Sequence, residues 1–100
     1  MAAAMMLVSF SWAAATRARI NNTGSSDKVV EIRTGTDNSC DNLTVWRETT
    51  IGAHDYLDAP YGKEKNISHV CARYRVGSGW SDWHSAGCPS DDNESCKINL

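Results

Sequence analysis

Ile67-Ser68-His69-Val70-Cys71-Ala72-Arg73-Tyr74-Arg75-Val76 alternates along its length. In an extended chain successive side chains point to opposite sides, so Val70, Ala72, Tyr74 and Val76 share one face. His69, Cys71, Arg73 and Arg75 share the other. This is the clearest strand in the chain, with an apolar face for a core and an arginine face for solvent. Gly77-Ser78-Gly79 follows and can supply the positive φ angles of a tight reversal. Trp80 to Ala86 then returns as the partner strand.

Upstream segments read the same way. Lys28-Val29-Val30-Glu31-Ile32-Arg33-Thr34 places Val30 and Ile32 on one face and Glu31 and Arg33 on the other. Gly35-Thr36-Asp37-Asn38-Ser39 is turn chemistry. Leu43 to Ile51 is a further strand, and Ile20 to Thr23 a short first one ending at Gly24-Ser25-Ser26-Asp27. Gly52 to Lys65 is irregular, with room for a short edge strand or a single helical turn. From Pro89 the chain becomes a polar loop. No sustained helical periodicity occurs beyond the N-terminal segment. Short strands separated by turns predict an all-β fold: a small antiparallel β-sandwich of the immunoglobulin or fibronectin type III kind, or a small barrel.

Met1 to Ala15 carries no charged side chain and ends in Ala13-Ala14-Ala15. Its apolar part runs through Met5-Met6-Leu7-Val8 and Phe10 to Trp12, as in a secretory signal peptide. Small residues permit cleavage after Ala15, or after Ala18. The expected division is a signal peptide over 1–18 and a single β domain over 19–100 with a polar tail pinned by disulfides. Arg17 and Arg19 follow the apolar part and no basic residue precedes it, against the usual charge bias. A start upstream of Met1 would account for that.

The chain has 100 residues and four cysteines, Cys40, Cys71, Cys88 and Cys96. Without its leader it would hold roughly 80–85 residues, a size at which a hydrophobic core alone is marginal. Disulfides fit that need and an oxidising, extracellular compartment. Four cysteines allow three connectivities. The preferred pairing is Cys40–Cys71 with Cys88–Cys96, although Cys88 could also reach Cys71. A loop of about 30 residues closed in this way contributes ~3.5 kcal/mol in the chain-entropy model. No Cys-x-x-Cys is present, so a zinc site is not expected.

The formal charge is −2 and basic residues are scattered, so no nucleic-acid footprint is visible. No apolar run after the leader is long enough to span a membrane. Asp37 to Glu48 overlays calcium-loop ligand positions, but Asn42 stands where such a loop needs glycine, and an Asx-rich turn is the simpler reading. Asp91, Asp92 and Glu94 make a second acidic stretch. His54, His69 and His84 stand at no metal-ligand spacing. There is no nucleophile elbow and no His-Glu-x-x-His, so an enzyme is not expected, nor a cofactor or metal. Four glycosylation sequons begin at Asn21, Asn42, Asn66 and Asn93.

The candidate site is Arg73, Arg75, Trp80 and Trp83. Guanidinium planes on indole faces attract by about 0.5–2 kcal/mol each. Such a cluster can brace a strand pair, or it can bind, since Trp and Arg anchor many interfaces. Trp46, Tyr56 and Tyr61 would extend the patch if the fold brought them there. The stretch from Cys71 to Ser85 resembles the last two strands of the membrane-proximal fibronectin type III domain of class I cytokine receptors. That family carries Trp-Ser-x-Trp-Ser after a strand with alternating arginines. Here Trp80-Ser81-Asp82-Trp83 is followed by His84, with Ser85 one position late. The resemblance implies a sandwich.

The expected function is therefore that of a secreted, monomeric, non-catalytic binding module for an extracellular protein or glycan. Two alternatives are a secreted inhibitor or antimicrobial protein acting through Gly52 to Gly62, and a calcium-stabilised envelope or matrix domain.

Overall fold

The computed structural model describes residues 16–85 and 96–100. Eight strands occur there: β1 (Arg17–Asn21), β2 (Lys28–Gly35), β3 (Thr44–Ile51), β4 (Tyr56–Pro60), β5 (His69–Val76), β6 (Gly79–Trp80), β7 (His84–Ser85) and β8 (Cys96–Asn99). They form two sheets. One has the order β4-β1-β8; the other has the order β3-β2-β5-β6, with β7 also paired to β5. The fold is an all-β sandwich.

Alternation explains what each strand buries. Val30 and Ile32 of β2 and Val70 and Ala72 of β5 meet Ala18 and Ile20 of β1, Ala59 of β4 and Ile98 of β8 in one core. Tyr74 packs at its margin. Fully burying an Ile or Val side chain is worth about 1.5–3 kcal/mol. Val76 shares the inward parity but is 55 % exposed, because it stands at the hairpin end, outside that cluster. Cys71 points to the arginine side, yet it is buried through its bond to Cys40.

Several elements differ from the sequence reading. β1 begins at Arg17, so Ala18 is a core residue paired with Ala59 and Cys96. The segment from Gly52 to Lys65 holds both a strand, β4, and a 3-10 turn (Lys63–Lys65). Most informative is β8. The polar tail stops at Cys96, and the next residues form a strand parallel to β1, with Ile98 opposite Ile20. Four residues are too few for a period-2 signal against a polar approach. The strand is held at its end by the Leu100 carbonyl, which accepts from Thr23 Oγ1 at 2.6 Å and from the Thr23 N–H at 3.1 Å.

Asn22 locks the turns at one end of the sandwich. It is 1 % exposed. Its Nδ2 donates to the carbonyls of Ser26, Ile51 and Gly52 at 2.8, 3.0 and 3.1 Å. Its Oδ1 accepts from the Gly24 N–H at 3.0 Å and from Lys28 Nζ at 2.8 Å. A buried amide with every group engaged replaces water for two loops at once.

Cys40–Cys71 is a disulfide with Cα atoms 5.8 Å apart, as preferred from the sequence. Cys96 is also disulfide-bonded. The expected Cys88–Cys96 bond involves Cys88, which lies outside the described residues, as do the leader from Met1 to Ala15 and the acidic stretch Asp91, Asp92 and Glu94. Among the described residues no helix is long and apolar enough to cross a membrane.

Candidate binding surface

The solvent side of the larger sheet is built from the outward residues of β2 and β5 and from the segment that follows the hairpin. Arg75 lies opposite Trp80, and Gly77 makes the reversal at φ 61°. Residues three apart in a regular strand point to opposite faces. Trp80 and Trp83 nevertheless share one. Arg75 pairs with Trp80 and Ala72 with His84, so the returning segment carries one more residue than β5 between those pairs. This bulge restores the parity of Trp83. It also divides the described part of the expected Trp80 to Ala86 strand into β6 and β7, Ala86 lying outside the described residues. Ser81 holds it: its Oγ accepts from the Tyr74 N–H at 3.0 Å and donates to the Asp82 carbonyl at 2.9 Å.

The result is an interleaved stack. The Arg75 guanidinium lies 4.1 Å from the Trp80 ring centroid, and that of Arg73 lies 4.7 Å from the same ring. Arg73 is also 4.3 Å from the Trp83 centroid, and Arg33 stands 4.9 Å from Trp83. The order is Arg75, Trp80, Arg73, Trp83, Arg33. All four sequence-selected residues, Arg73, Arg75, Trp80 and Trp83, are together, and Arg33 joins them from β2.

Part of the positive charge of the stack is offset from beneath by Glu31, which is 8 % exposed. Arg73 Nε donates to Glu31 Oε1 at 2.8 Å. Arg33 Nε lies 3.4 Å from the same oxygen, but buried as it is makes no hydrogen bond. It is a charge contact without an aligned N–H. Arg33 instead uses Nη1, which donates to the carbonyls of Asp41 at 3.2 Å and Cys40 at 3.4 Å. Trp83 Nε1 donates to Asp41 Oδ1 at 3.2 Å. Both contacts come from the 3-10 turn Cys40–Asn42, which the Cys40–Cys71 disulfide fastens to β5. One covalent bond thus places the cap of the stack.

Glu31, Arg33, Asp41 and Ser81 were not singled out by the sequence. Alternation had put Glu31 and Arg33 on the right face. What it lacked was register, which sets Glu31 opposite Arg73 and Arg33 opposite Cys71.

The other aromatic residues do not converge on the stack. Trp46 sits on edge strand β3 with Arg47 5.7 Å from its ring. It has no register partner, because the β2–β3 pairing passes from Arg47 to Val45 across a bulge. Tyr56 belongs to β4 of the other sheet, beneath the Arg19 guanidinium at 3.8 Å. Tyr61 packs against the core. Arg19 also donates to both Asp58 oxygens, at 2.9 and 3.1 Å, and that bonding raises its pKa.

The remaining candidate chemistry is local. Asp37 Oδ1 accepts from the Ser39 N–H at 2.8 Å, an Asx-type turn. His69 Nδ1 is 3.2 Å from the Ser68 hydroxyl, and His84 Nδ1 is 3.1 Å from the Asp82 carbonyl. His54 is exposed at a turn with φ 57°. Among the described residues no three His, Cys, Asp or Glu side chains gather as a metal site would require. No protein-family model, curated protein or solved structure matches the chain.

Proposed function

We propose that this chain is a secreted, non-catalytic binding module, and that its contact surface is the outer face of the larger sheet around Arg73, Arg75, Trp80 and Trp83. One observation carries the reading. Five flat side chains stand in a fixed stack on the solvent side, covering a buried Glu31 instead of a core. Arg and Trp held in one rotamer lose little entropy on binding, which favours them as interface anchors. The disulfide supports an oxidising compartment.

The stack also favours one partner class. Each indole has guanidinium groups against it from two arginines, so a sugar could not stack on Trp80 or Trp83 without displacing one. Exposed Arg75, which has no acidic partner among the described residues, offers N–H donors. A protein surface presenting carboxylates or backbone carbonyls is the better match. Loop inhibition is less favoured, because Gly52 to Gly62 is tied into the fold by β4 and by Asn22.

The test is capture of a defined extracellular partner by the oxidised chain, with Arg75→Glu compared against Arg17→Glu on the other sheet. Loss with Arg75→Glu alone, at unchanged melting temperature, supports the surface. Equal capture by both variants rejects it.

A further inference from the structure

We infer that a second site, at the opposite region of the larger sheet from the hairpin, takes a single acidic sugar residue. It does not rest on the stack. Beyond Pro60 the chain folds into a tight loop in which Gly62 N–H donates to the Ile67 carbonyl at 2.9 Å and Ile67 N–H returns to Gly62 at 3.1 Å. Asn66 closes it in the left-handed conformation, φ 57°. The Ser68 N–H donates to the Gly35 carbonyl at 2.9 Å, fastening the loop to the end of β2. The loop is therefore preformed.

Between it and Thr36 lies an open cavity of about 350 Å³, lined by Thr36, Tyr61, Lys63, Asn66, Ile67 and Ser68. That volume is at the small end for ligand pockets, a size for one ring and not for a chain. Tyr61 and Ile67 provide an apolar wall, both partly buried against the core. Around it, among the described residues, the side-chain polar groups of Thr36, Tyr61 and Asn66 have no hydrogen-bond partner, and Lys63 has no ion pair; Thr36, Lys63 and Asn66 are exposed and open to a ligand.

Each part selects something. An apolar wall rimmed by hydroxyl and amide groups suits a ring with a C–H face and hydroxyl edges, which is a sugar. Among the described lining residues Lys63 is the one cation, and a single ammonium matches the single charge of a carboxylate better than the near-double charge of a phosphate monoester. A plain aromatic acid would leave the hydroxyl and amide groups of the rim to water, whereas a sugar's hydroxyls would pair with them. A neutral sugar would leave Lys63 to water and forgo the modest ion pairing that a carboxylate adds.

The full oxidised chain, produced so that Asn66 stays unmodified, is titrated with methyl glucuronide, methyl glucoside and benzoate while amide resonances are followed. The expected result is saturable shifting of Thr36 and Tyr61 to Ser68 by glucuronide, with Trp80 to His84 unmoved. Glucuronide should bind about five-fold tighter than glucoside, the upper effect of one exposed ion pair. Lys63→Gln, at an exposed position, should remove that advantage and leave the melting temperature unchanged. The inference is overturned by absence of shifts, by equal binding of glucoside or benzoate, by an undiminished preference in Lys63→Gln, or by shifts confined to the stack. The last outcome would instead bear on the proposed contact surface.

Discussion

Glu31 and Arg73 stand directly opposite each other on β2 and β5, and the Arg73 Nε–H donates to Glu31 Oε1 at 2.8 Å. A carboxylate only 8 % exposed on the solvent side of a sheet is unusual. It is buried because arginines and tryptophans cover it, and they stay there because it holds their charge. Glu31→Gln should cost about 2 kcal/mol in urea unfolding, less than a fully buried pair because the guanidinium groups remain partly wetted. A change below a few tenths would show that the carboxylate is incidental to the stack.

Ser81 makes the bulge that aligns the two indoles. Ser81→Ala leaves the Tyr74 N–H without its side-chain partner, at a cost of about 1–2 kcal/mol. Tryptophan emission should shift as Trp83 leaves Arg33 and Arg73. Unchanged emission would mean that the backbone holds the bulge without the hydroxyl.

The disulfide acts on stability and on the surface together. Replacing both Cys40 and Cys71 by Ser should lower stability by about 3.5 kcal/mol. It should also release the turn that presents Asp41 to Trp83, visible as faster exchange of the Trp83 Nε1 proton. Stability loss without that change would separate the cross-link from the stack.

Asn22 serves two turns through one amide. Asn22→Ala should destabilise by about 2–4 kcal/mol, since three carbonyls, an N–H and the Lys28 ammonium lose a buried partner. Thermal melting decides it. A loss under about 1 kcal/mol would mean that water replaces the amide.

A variant chain beginning at Thr16 keeps β1 whole, whereas one beginning at Arg19 loses buried Ala18 and the Thr16 carbonyl that accepts from the Tyr61 N–H at 3.3 Å. The shorter chain should melt lower by several degrees. Equal melting temperatures would show that β1 contributes nothing before Arg19.

Much of this was legible in the residues. Alternation in β5 and β2 identified the inward and outward faces, and turn residues marked the hairpin. The four stack residues could be chosen because Arg73 and Arg75 share parity beside a glycine reversal. Three features were not legible, each for a physical reason. Register between β2 and β5 is a long-range property, so Glu31 could not be matched to Arg73. The bulge joins Ser81 to Tyr74 through the serine hydroxyl as well as through the Ser81 N–H, a side-chain substitution for a strand bond that alternation does not reveal. β8 is too short to announce itself, and its partner β1 lies at the other end of the chain.

The stack itself is open to direct measurement by side-chain NMR of the oxidised protein. Guanidinium groups over indole faces feel strong ring currents, so the Nε protons and δ-methylenes of Arg33, Arg73 and Arg75 should resonate well upfield of free arginine. Those of Arg75 should return to ordinary positions in Trp80→Ala, and those of Arg33 in Trp83→Ala, while Arg73 should respond to both. Unshifted arginine signals in the folded, oxidised protein would contradict the interleaved surface on which this account rests.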